Sequence, residues 1–272
     1  MDVHSRLNVT LSGVPDGQPM LFAHGFGCDQ HMWRLVTPAF ADAFRLVLFD
    51  HAGCGGTPAA AWDPERYSSL QGYAADVLDL VRELDLRDVV LVGHSVSAMI
   101  GALAVIEEPE RFDRLVMVGP SPRYVDDPAA GYVGGFGAED IDELLDSLAS
   151  NYLGWSAAMA PAIMGNPDRP ELGAELSESF CRMDPAVARR WAETTFLSDN
   201  RADLPRVGVP TLVLQCREDV IAPVSVGEYV HAAVPGSELV LLDATGHCPN
   251  LSAPDATVEA IRGFVRGSRA AG

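Results

Sequence analysis

Positive charge is scarce in this chain of 272 residues. Only 19 lysines and arginines stand against 38 aspartates and glutamates, so the formal net charge is −19 at pH 7. Nucleic acids and anionic membrane surfaces are bound by basic faces, and neither is expected as a partner. Solubility or a salt-adapted host explains the acidity more simply than an acidic functional patch does.

Long apolar segments are also missing. No stretch reaches the roughly 18–20 uninterrupted apolar residues that a membrane span requires. The N-terminal segment MDVHSRLNVT lacks the apolar core of a secretory signal peptide. We therefore expect a cytoplasmic protein that does not cross a membrane.

Metal and cofactor motifs are absent too. The sequence has no P-loop, no H-E-x-x-H and no C-x-x-C, and GCGG at residues 53–56 lacks the spacing of a dinucleotide fingerprint. That glycine cluster is typical of a turn. The five cysteines are odd in number and scattered, so free thiols are expected. They are Cys28, Cys54, Cys181, Cys216 and Cys248. No metal and no organic cofactor is predicted.

Short apolar segments alternate with amphipathic ones in the first half of the chain. Residues 20–23, 46–49, 89–92 and 115–118 are bulky or β-branched, and Gly, Asp or Pro bounds them, as is typical of buried strands. Between them, apolar residues from 70 to 84 recur on one helical face. This alternation predicts the α/β class, with a mostly parallel sheet flanked by helices.

The alternation stops after Pro120. From residue 121 to 206 no strand pattern appears, and helices are expected near 141–148, 152–164, 171–182 and 186–197. Strands resume at 211–215 and 238–242, with helices near 225–234 and 254–265. We predict an α/β core over 1–120 and 207–272, interrupted by an all-helical lid over 121–206.

A serine between small residues follows the strand predicted over 89–92. The segment Gly93-His94-Ser95-Val96-Ser97 is typical of a nucleophile elbow, in which a strand-to-helix turn exposes the serine hydroxyl. Its fifth residue is serine where the usual pattern has glycine, and such a pentapeptide also occurs by chance. A serine attacks only when a base removes its proton, so a histidine and an acid are required.

The base candidate is His247, which follows the last predicted strand, and the acid candidate is Asp219, just after the strand over 211–215. The order Ser95, Asp219, His247 is that of α/β-hydrolases and differs from the chymotrypsin and subtilisin orders. In such a triad the acid keeps one imidazole nitrogen protonated, and the other nitrogen accepts the serine proton.

Alternatives for the acid stay open at this level. Glu218 is adjacent to Asp219, and Asp126 or Asp127 follows the strand predicted over 115–118. The remaining histidines are interpreted as surface, turn or packing residues. They are His4, His31, His51, His94 and His231, apart from His24 in the loop considered next.

Two backbone N–H groups are candidates for the oxyanion hole. Val96 sits at the helix start beside the nucleophile, and a second donor should come from a loop after an early strand. The segment His24-Gly25-Phe26-Gly27 follows the first predicted strand, and its glycines permit a bend inward. We predict that the Phe26 and Val96 N–H groups bind the oxyanion.

Four segments carry a family resemblance: HGFGCDQ at 24–30, GHSVSAMIG at 93–101, GPSPRY at 119–124 and GHCP at 246–249. Together they resemble the RsbQ-like α/β-hydrolases, which comprise the bacterial stress regulator RsbQ and the plant karrikin and strigolactone receptor-hydrolases KAI2 and DWARF14. The resemblance spans nearly the whole chain. Ser97 agrees with the plant version of the elbow, whereas Cys216 and Cys248 are more similar to the bacterial branch.

This resemblance implies an α/β-hydrolase fold with a lid of four helices after the sixth strand and a mostly apolar pocket above the triad. Matching positions for the pocket wall are Phe26, Phe136, Trp155, Met159 and Phe196. Met159 stands where relatives often carry an aromatic residue. For each aromatic side chain, packing within the lid is an equal alternative.

An apolar pocket with few polar groups suits a small hydrophobic ester or lactone. The leading hypothesis is a serine hydrolase of such compounds, related to stress signalling through the resemblance. The alternative is a ligand-sensing regulator that hydrolyses slowly and acts through a partner protein, such as a PAS-domain phosphatase. A haloperoxidase-like or C–C hydrolase activity on the same fold is a third possibility.

Overall fold

Seven strands form one sheet in the computed structural model, which describes residues 1–267. In chain order they are β1 (Thr10–Gly13), β2 (Gln18–Ala23), β3 (Phe44–Leu48), β4 (Val89–His94), β5 (Phe112–Val118), β6 (Thr211–Glu218) and β7 (Glu238–Thr245). Their spatial order is β1-β3-β2-β4-β5-β6-β7, and every neighbouring pair is parallel except β1 with β3. The prediction of a mostly parallel sheet is confirmed.

The central strands are apolar on both faces because helices cover both sides of a parallel sheet. All six residues of β4 are buried, as are the last five of β5. Strand β1 was not predicted from the sequence. Its four residues are all exposed, and it exists through antiparallel pairing with β3 at the sheet edge rather than through a hydrophobic pattern of its own.

Ten α-helices accompany the strands within the described residues. They are α1 (Val3–Arg6), α2 (Leu70–Glu83), α3 (Val96–Glu107), α4 (Ala138–Ser150), α5 (Tyr152–Met164), α6 (Pro170–Cys181), α7 (Pro185–Phe196), α8 (Val224–Ala233), α9 (Pro249–Ser252) and α10 (Pro254–Gly267). Helix α3 packs on α2, β4 and β5, while α8 and α10 pack on β6 and β7. None of these helices is long and apolar enough to cross a membrane.

Helices α4 to α7 fill the segment between β5 and β6, as the helical periodicity predicts. The four-helix segment follows the fifth strand of the described sheet, so its placement after the sixth strand was wrong by one. The count came from the resemblance, and β5 is the fifth strand of this sheet because only β1 precedes β2. The last part of the predicted core, 268–272, lies outside the described residues.

Helix α7 has clear local signals at its start and a fixed position at its end. The Asp184 carboxylate accepts hydrogen bonds from the N–H groups of Ala186 and Val187, and Pro185 occupies the first turn, where no N–H is needed. Near the other end, the Thr194 hydroxyl donates to the Tyr67 carbonyl at 3.1 Å. The helix is therefore anchored to the core just before its last two residues.

Candidate active site

Ser95 lies in the tight turn between β4 and α3. Its backbone angles, φ 58° and ψ −126°, are strained for a non-glycine residue. The turn is close-packed, because a side chain at Gly93 would collide with the Ser97 carbonyl oxygen. The Ser95 N–H donates to the Val118 carbonyl at the end of β5, at 2.8 Å. This geometry is that of a nucleophile elbow.

The three residues predicted to form a triad come together at the carboxyl edge of the sheet. His247 Nε2 lies 2.7 Å from Ser95 Oγ, and His247 Nδ1 lies 2.7 Å from Asp219 Oδ2. All three residues are buried. They follow β4, β6 and β7, and parallel strands bring such strand ends to one edge. The contacts form one connected chain from carboxylate to imidazole to hydroxyl.

The Asp219 carboxylate is held in its charged form. Burial by itself raises the pKa of this carboxyl. The His247 imidazole and the N–H groups of Ile221 and Ala222, which donate to Oδ1 at 2.8 and 3.1 Å, outweigh burial and leave the pKa below its ordinary value. Gln215 Nε2 also donates to Oδ2, at 3.4 Å. An ionised carboxylate in this position keeps His247 Nδ1 protonated.

The alternative acids lie elsewhere. Glu218 is exposed and accepts a hydrogen bond from the Thr245 hydroxyl. Asp126 accepts from two glycine N–H groups in its own loop, and Asp127 pairs with Arg201 at 3.0 Å. None of the three is bonded to the His247 ring, so geometry leaves Asp219 as the acid.

The loop that carries His247 is bonded to the helical segment. The His247 N–H donates to the Ile163 carbonyl in the last turn of α5, at 2.9 Å. Gly246 has φ 95°, and a side chain there would collide with the Met164 carbonyl oxygen. Asn166 Nδ2 donates to the Thr245 carbonyl at 2.9 Å. The position of the imidazole thus depends on the end of α5.

The loop after β2 lies beside the elbow. Val96 is the first residue of α3, where an N–H has no acceptor within its own helix. Within residues 1–267 the Phe26 N–H has no acceptor either. His24 Nδ1–H donates to the Gly25 carbonyl at 2.8 Å, and His24 Nε2 accepts from the His51 N–H at 3.0 Å. The Gly25 carbonyl and the Phe26 N–H belong to one planar peptide group, so the bond from His24 Nδ1–H to that carbonyl also orients the Phe26 N–H.

Ser97 has a role that a glycine would not fill. Its hydroxyl donates to the His24 carbonyl at 2.5 Å and accepts from His51 Nε2–H at 2.7 Å. All three residues are buried. Burial lowers the pKa of both imidazoles, so they are neutral and their tautomers are fixed by these bonds. The elbow helix is thereby tied to the loop that carries Phe26.

Sequence reasoning missed His51 and His94. His51 closes the network just described, and the signal was its place beyond β3, the strand next to β2. His94 Nε2–H donates to the His247 carbonyl at 2.8 Å. Burial, followed by the neighbouring His247, lowers the pKa of His94 to about 3. A side chain at Gly25 would come within 2.5 Å of His94 Nδ1, so the small residue lets this ring pack under the loop.

A small cavity of about 30 Å³ lies above Ser95. Its lining is mostly apolar, and the triad residues Ser95 and His247 form part of it. The other lining residues are Phe26, Cys28, His94, Tyr124, Ile163, Leu176, Phe180, Thr195, Phe196, Ile221 and Cys248. Larger hollows on the surface, of about 400 and 710 Å³, contain no triad residue.

Two of the five predicted wall residues, Phe26 and Phe196, line this cavity. Trp155 lies behind Phe26, with 6.2 Å between ring centroids. Phe136 pairs with Val125 in an isolated bridge, and Met159 is half-buried in α5. Phe136, Trp155 and Met159 are therefore outside the lining.

The thiols at the site are neutral. Burial raises the pKa of Cys28 to about 12, and it also raises the pKa of Cys248. Both residues line the cavity, and all five cysteines are free thiols. No group of three or more His, Cys, Asp or Glu side chains within residues 1–267 is arranged to hold a metal ion.

The sheet order, the elbow and the buried Ser–His–Asp contacts are those of an α/β-fold hydrolase. The chain belongs to the alpha/beta hydrolase family, whose model matches residues 20–260. Among solved structures, a hydrolase from Oleispira antarctica has a TM-score of 0.94 and 38% identity, with 97% of this chain and 96% of that chain covered.

Two plant proteins are similar over almost the whole length. Karrikin insensitive 2 receptor CA of Petunia hybrida is 39% identical over 260 residues, which is 95% of both chains. A strigolactone esterase of Arabidopsis thaliana is 38% identical over 262 residues, 96% of this chain and 97% of its own. The predicted resemblance to the plant receptor-hydrolases is confirmed, as is assignment to the hydrolases.

Proposed function

We propose that this protein hydrolyses small hydrophobic esters or lactones through an acyl-enzyme on Ser95. The observation that carries the proposal is the position of His247, whose two ring nitrogens lie 2.7 Å from Ser95 Oγ and 2.7 Å from Asp219 Oδ2. The cavity directly above Ser95 is mostly apolar, which fits a substrate with little charge.

Hydrolysis proceeds in two halves. His247 Nε2 takes the Ser95 proton while Oγ bonds to the carbonyl carbon, and the Phe26 and Val96 N–H groups stabilise the oxyanion. The intermediate collapses, the C–O bond to the alcohol breaks, and His247 Nε2–H protonates the leaving oxygen. A water molecule then gives a proton to the same nitrogen and attacks the acyl-enzyme. The acid leaves and the proton returns to Ser95.

Helices α4 to α7 act as a lid in this proposal. A cavity of about 30 Å³ holds roughly one or two water molecules, which is too little room for an ester. Admission of substrate therefore requires these helices to shift relative to the core. The corresponding division of the chain is a core of 1–120 and 207–272 and a lid of 121–206.

A fluorophosphonate probe and p-nitrophenyl butyrate test the assignment. We expect the probe to label the wild type and the ester to be hydrolysed, and both signals to vanish in Ser95→Ala. The matched control is Ser150→Ala, which removes an exposed serine at the end of α4 and should leave both signals unchanged. Undiminished labelling and turnover in Ser95→Ala would contradict the proposal.

We infer a second function, ligand sensing, on two observations. The similar plant proteins include a karrikin insensitive 2 receptor, with 39% identity over nearly the whole chain. The bond from the His247 N–H to the Ile163 carbonyl links the catalytic loop to α5, so ligand turnover and helix position are coupled. A ligand that binds the open and closed forms unequally shifts their populations. A partner protein of the PAS-domain phosphatase type then binds one of these two forms.

Turnover and partner binding distinguish the two functions. A receptor is expected to turn over far more slowly than the usual rate of about 1–1000 per second and to bind its partner only when ligand is present. If a PAS-domain phosphatase is encoded beside the gene, it is the first partner to assay by calorimetry. Fast hydrolysis of a broad ester panel, without ligand-dependent partner binding, would rule against sensing. A cytoplasmic location stays a prediction.

A further inference from the structure

The hydroxyl of Thr195 is an unused polar group in the wall of the cavity. Thr195 lines the cavity above Ser95 and is only 1% exposed. Its Oγ1 has no hydrogen-bond partner within residues 1–267. Buried hydroxyls are normally paired, because an unpaired one loses its hydrogen bonds to water without compensation. This exception therefore needs an explanation.

Comparable hydroxyls in other helices are satisfied within the helix. Thr257 in α10 donates to the Ala253 carbonyl four residues earlier, at 3.0 Å, and Ser156 in α5 donates to the Tyr152 carbonyl at 2.8 Å. This back-bonding is the usual solution for serine and threonine in a helix. Thr195 in α7 makes no such bond, so its hydroxyl remains free to pair with another group.

The rest of the lining contains few candidates for that pairing. The Ser95 hydroxyl is bonded to His247, and His94 Nε2–H is bonded to the His247 carbonyl. His94 Nδ1 is also unpartnered, but it lies under Gly25, where a side chain would come within 2.5 Å. Tyr124 also lines the cavity, and its hydroxyl interacts with the Ser95 side chain. Among the lining residues, Thr195 therefore holds the unpartnered hydroxyl that is available to an occupant of the cavity.

Helix α7 presents this hydroxyl from a fixed position. The adjacent Thr194 is bonded to the Tyr67 carbonyl of the core, and Phe196 packs against both Phe26 and Tyr124, with ring centroids 6.1 and 5.0 Å apart. A donor on such an anchored element needs little ordering when ligand binds, which makes it selective.

We propose that Thr195 Oγ1–H is a specificity-determining donor for a second oxygen of the substrate. It rests on the proposed function and names the substrate class: an ester or lactone that carries, besides the scissile carboxyl group, an ether or carbonyl oxygen able to accept a hydrogen bond. An all-carbon chain of the same shape leaves the hydroxyl unpaired and is the poorer substrate.

Two isosteric substrate pairs test this. On the acyl side they are p-nitrophenyl methoxyacetate and p-nitrophenyl butyrate, and on the alcohol side 2-methoxyethyl acetate and butyl acetate. The quantity is the kcat/KM ratio of ether to carbon ester. In one of the pairs we expect Thr195→Val to lower this ratio by about 2- to 10-fold, the range for one net hydrogen bond, and Thr195→Ser to keep it.

Thr257→Val is the matched control, since it removes a buried helical hydroxyl that lies outside the cavity lining and takes no part in anchoring α7. It should leave both ratios at the wild-type value even if it costs stability. Equal ratios in wild type and Thr195→Val for both pairs would overturn the proposal, and so would a uniform change for all four esters.

Binding without turnover separates this proposal from the catalytic one. The four esters are titrated into Ser95→Ala and into Ser95→Ala with Thr195→Val, with ligand-observed NMR as readout. Tighter binding of one ether ester than its carbon partner, lost in the double variant, supports the Thr195 donor even if Ser95 proves not to be the nucleophile. Identical binding of both partners in each pair refutes the donor while leaving the catalytic assignment intact.

Discussion

Replacing Ser97 by alanine tests whether the elbow holds the oxyanion loop in place. The change removes the hydroxyl that donates to the His24 carbonyl and accepts from His51 Nε2–H. Two buried groups then lose their partners. The His24 ring, through Nδ1–H, also fixes the Gly25 carbonyl and with it the Phe26 N–H, so a loosened His24 misplaces the oxyanion donor.

The magnitude follows from the two groups left unpaired. Each costs about 1–3 kcal/mol when buried, so the free energy of unfolding should fall by about 2–4 kcal/mol after some local relaxation. Complete loss of an oxyanion donor costs on the order of 100–1000-fold in kcat. A donor that is displaced but present should cost about tenfold, because the Val96 N–H still contributes.

Urea unfolding followed by circular dichroism gives the stability, and p-nitrophenyl butyrate gives kcat. The control is Ser156→Ala, which removes an equally buried hydroxyl whose acceptor, the Tyr152 carbonyl, lies within the same helix. We expect that control to cost less than about 1 kcal/mol and to leave kcat unchanged. Wild-type stability and kcat in Ser97→Ala would refute the coupling of elbow and loop.

Three further predictions concern the acid, the buried imidazoles and the base loop. Asp219→Asn should lower kcat by on the order of 10³–10⁴-fold with native circular dichroism, and Glu218→Gln should not. Because the folded pKa of His94 is depressed to about 3, the unfolded chain takes up its proton first as pH falls below about 6.5. The contribution of the neutral His94 to the free energy of unfolding is fully present above that pH, and its loss should lower this free energy by about 2 kcal/mol at pH 5. Urea titrations at several pH values measure this fall, and the free energy of unfolding of His94→Asn should depend less steeply on pH. Gly246→Ala should cost at least about 1–3 kcal/mol through its positive φ and its collision, whereas Gly263→Ala in open helical space should raise the melting temperature.

The catalytic residues at the strand ends could be predicted because the sequence patterns that mark them are local. A buried apolar run ends, and a polar residue that follows it stands at the sheet edge; Ser95, Asp219 and His247 all obey this rule. His51 obeys it too, three residues beyond the end of β3 at Leu48, and the rule would have found it. Its role depends on β3 lying next to β2, which the chain order does not state.

The cavity wall was less predictable because it depends on how helices pack. Thr195 lies in α7 and Phe180 in α6, and the periodicity of one helix does not state which of its residues meet those of another helix. Trp155 shows the limit: a large aromatic at the right position lies behind Phe26 instead of facing the cavity. Strand β1 was missed for a similar reason, since its pairing partner rather than its composition defines it.

Opening the cavity and positioning the catalytic base depend on the same contacts in this molecule. Helix α5 forms part of the roof, and its Ile163 carbonyl accepts the His247 N–H while Asn166, just beyond its end, holds the Thr245 carbonyl. Moving the end of α5 far enough to admit an ester therefore breaks or strains two bonds of the loop that carries the imidazole. The triad is complete in the closed arrangement of this structure, and we expect it to be disturbed while the roof is open. This link between helix position and the catalytic loop is the coupling that the proposed ligand-sensing function requires.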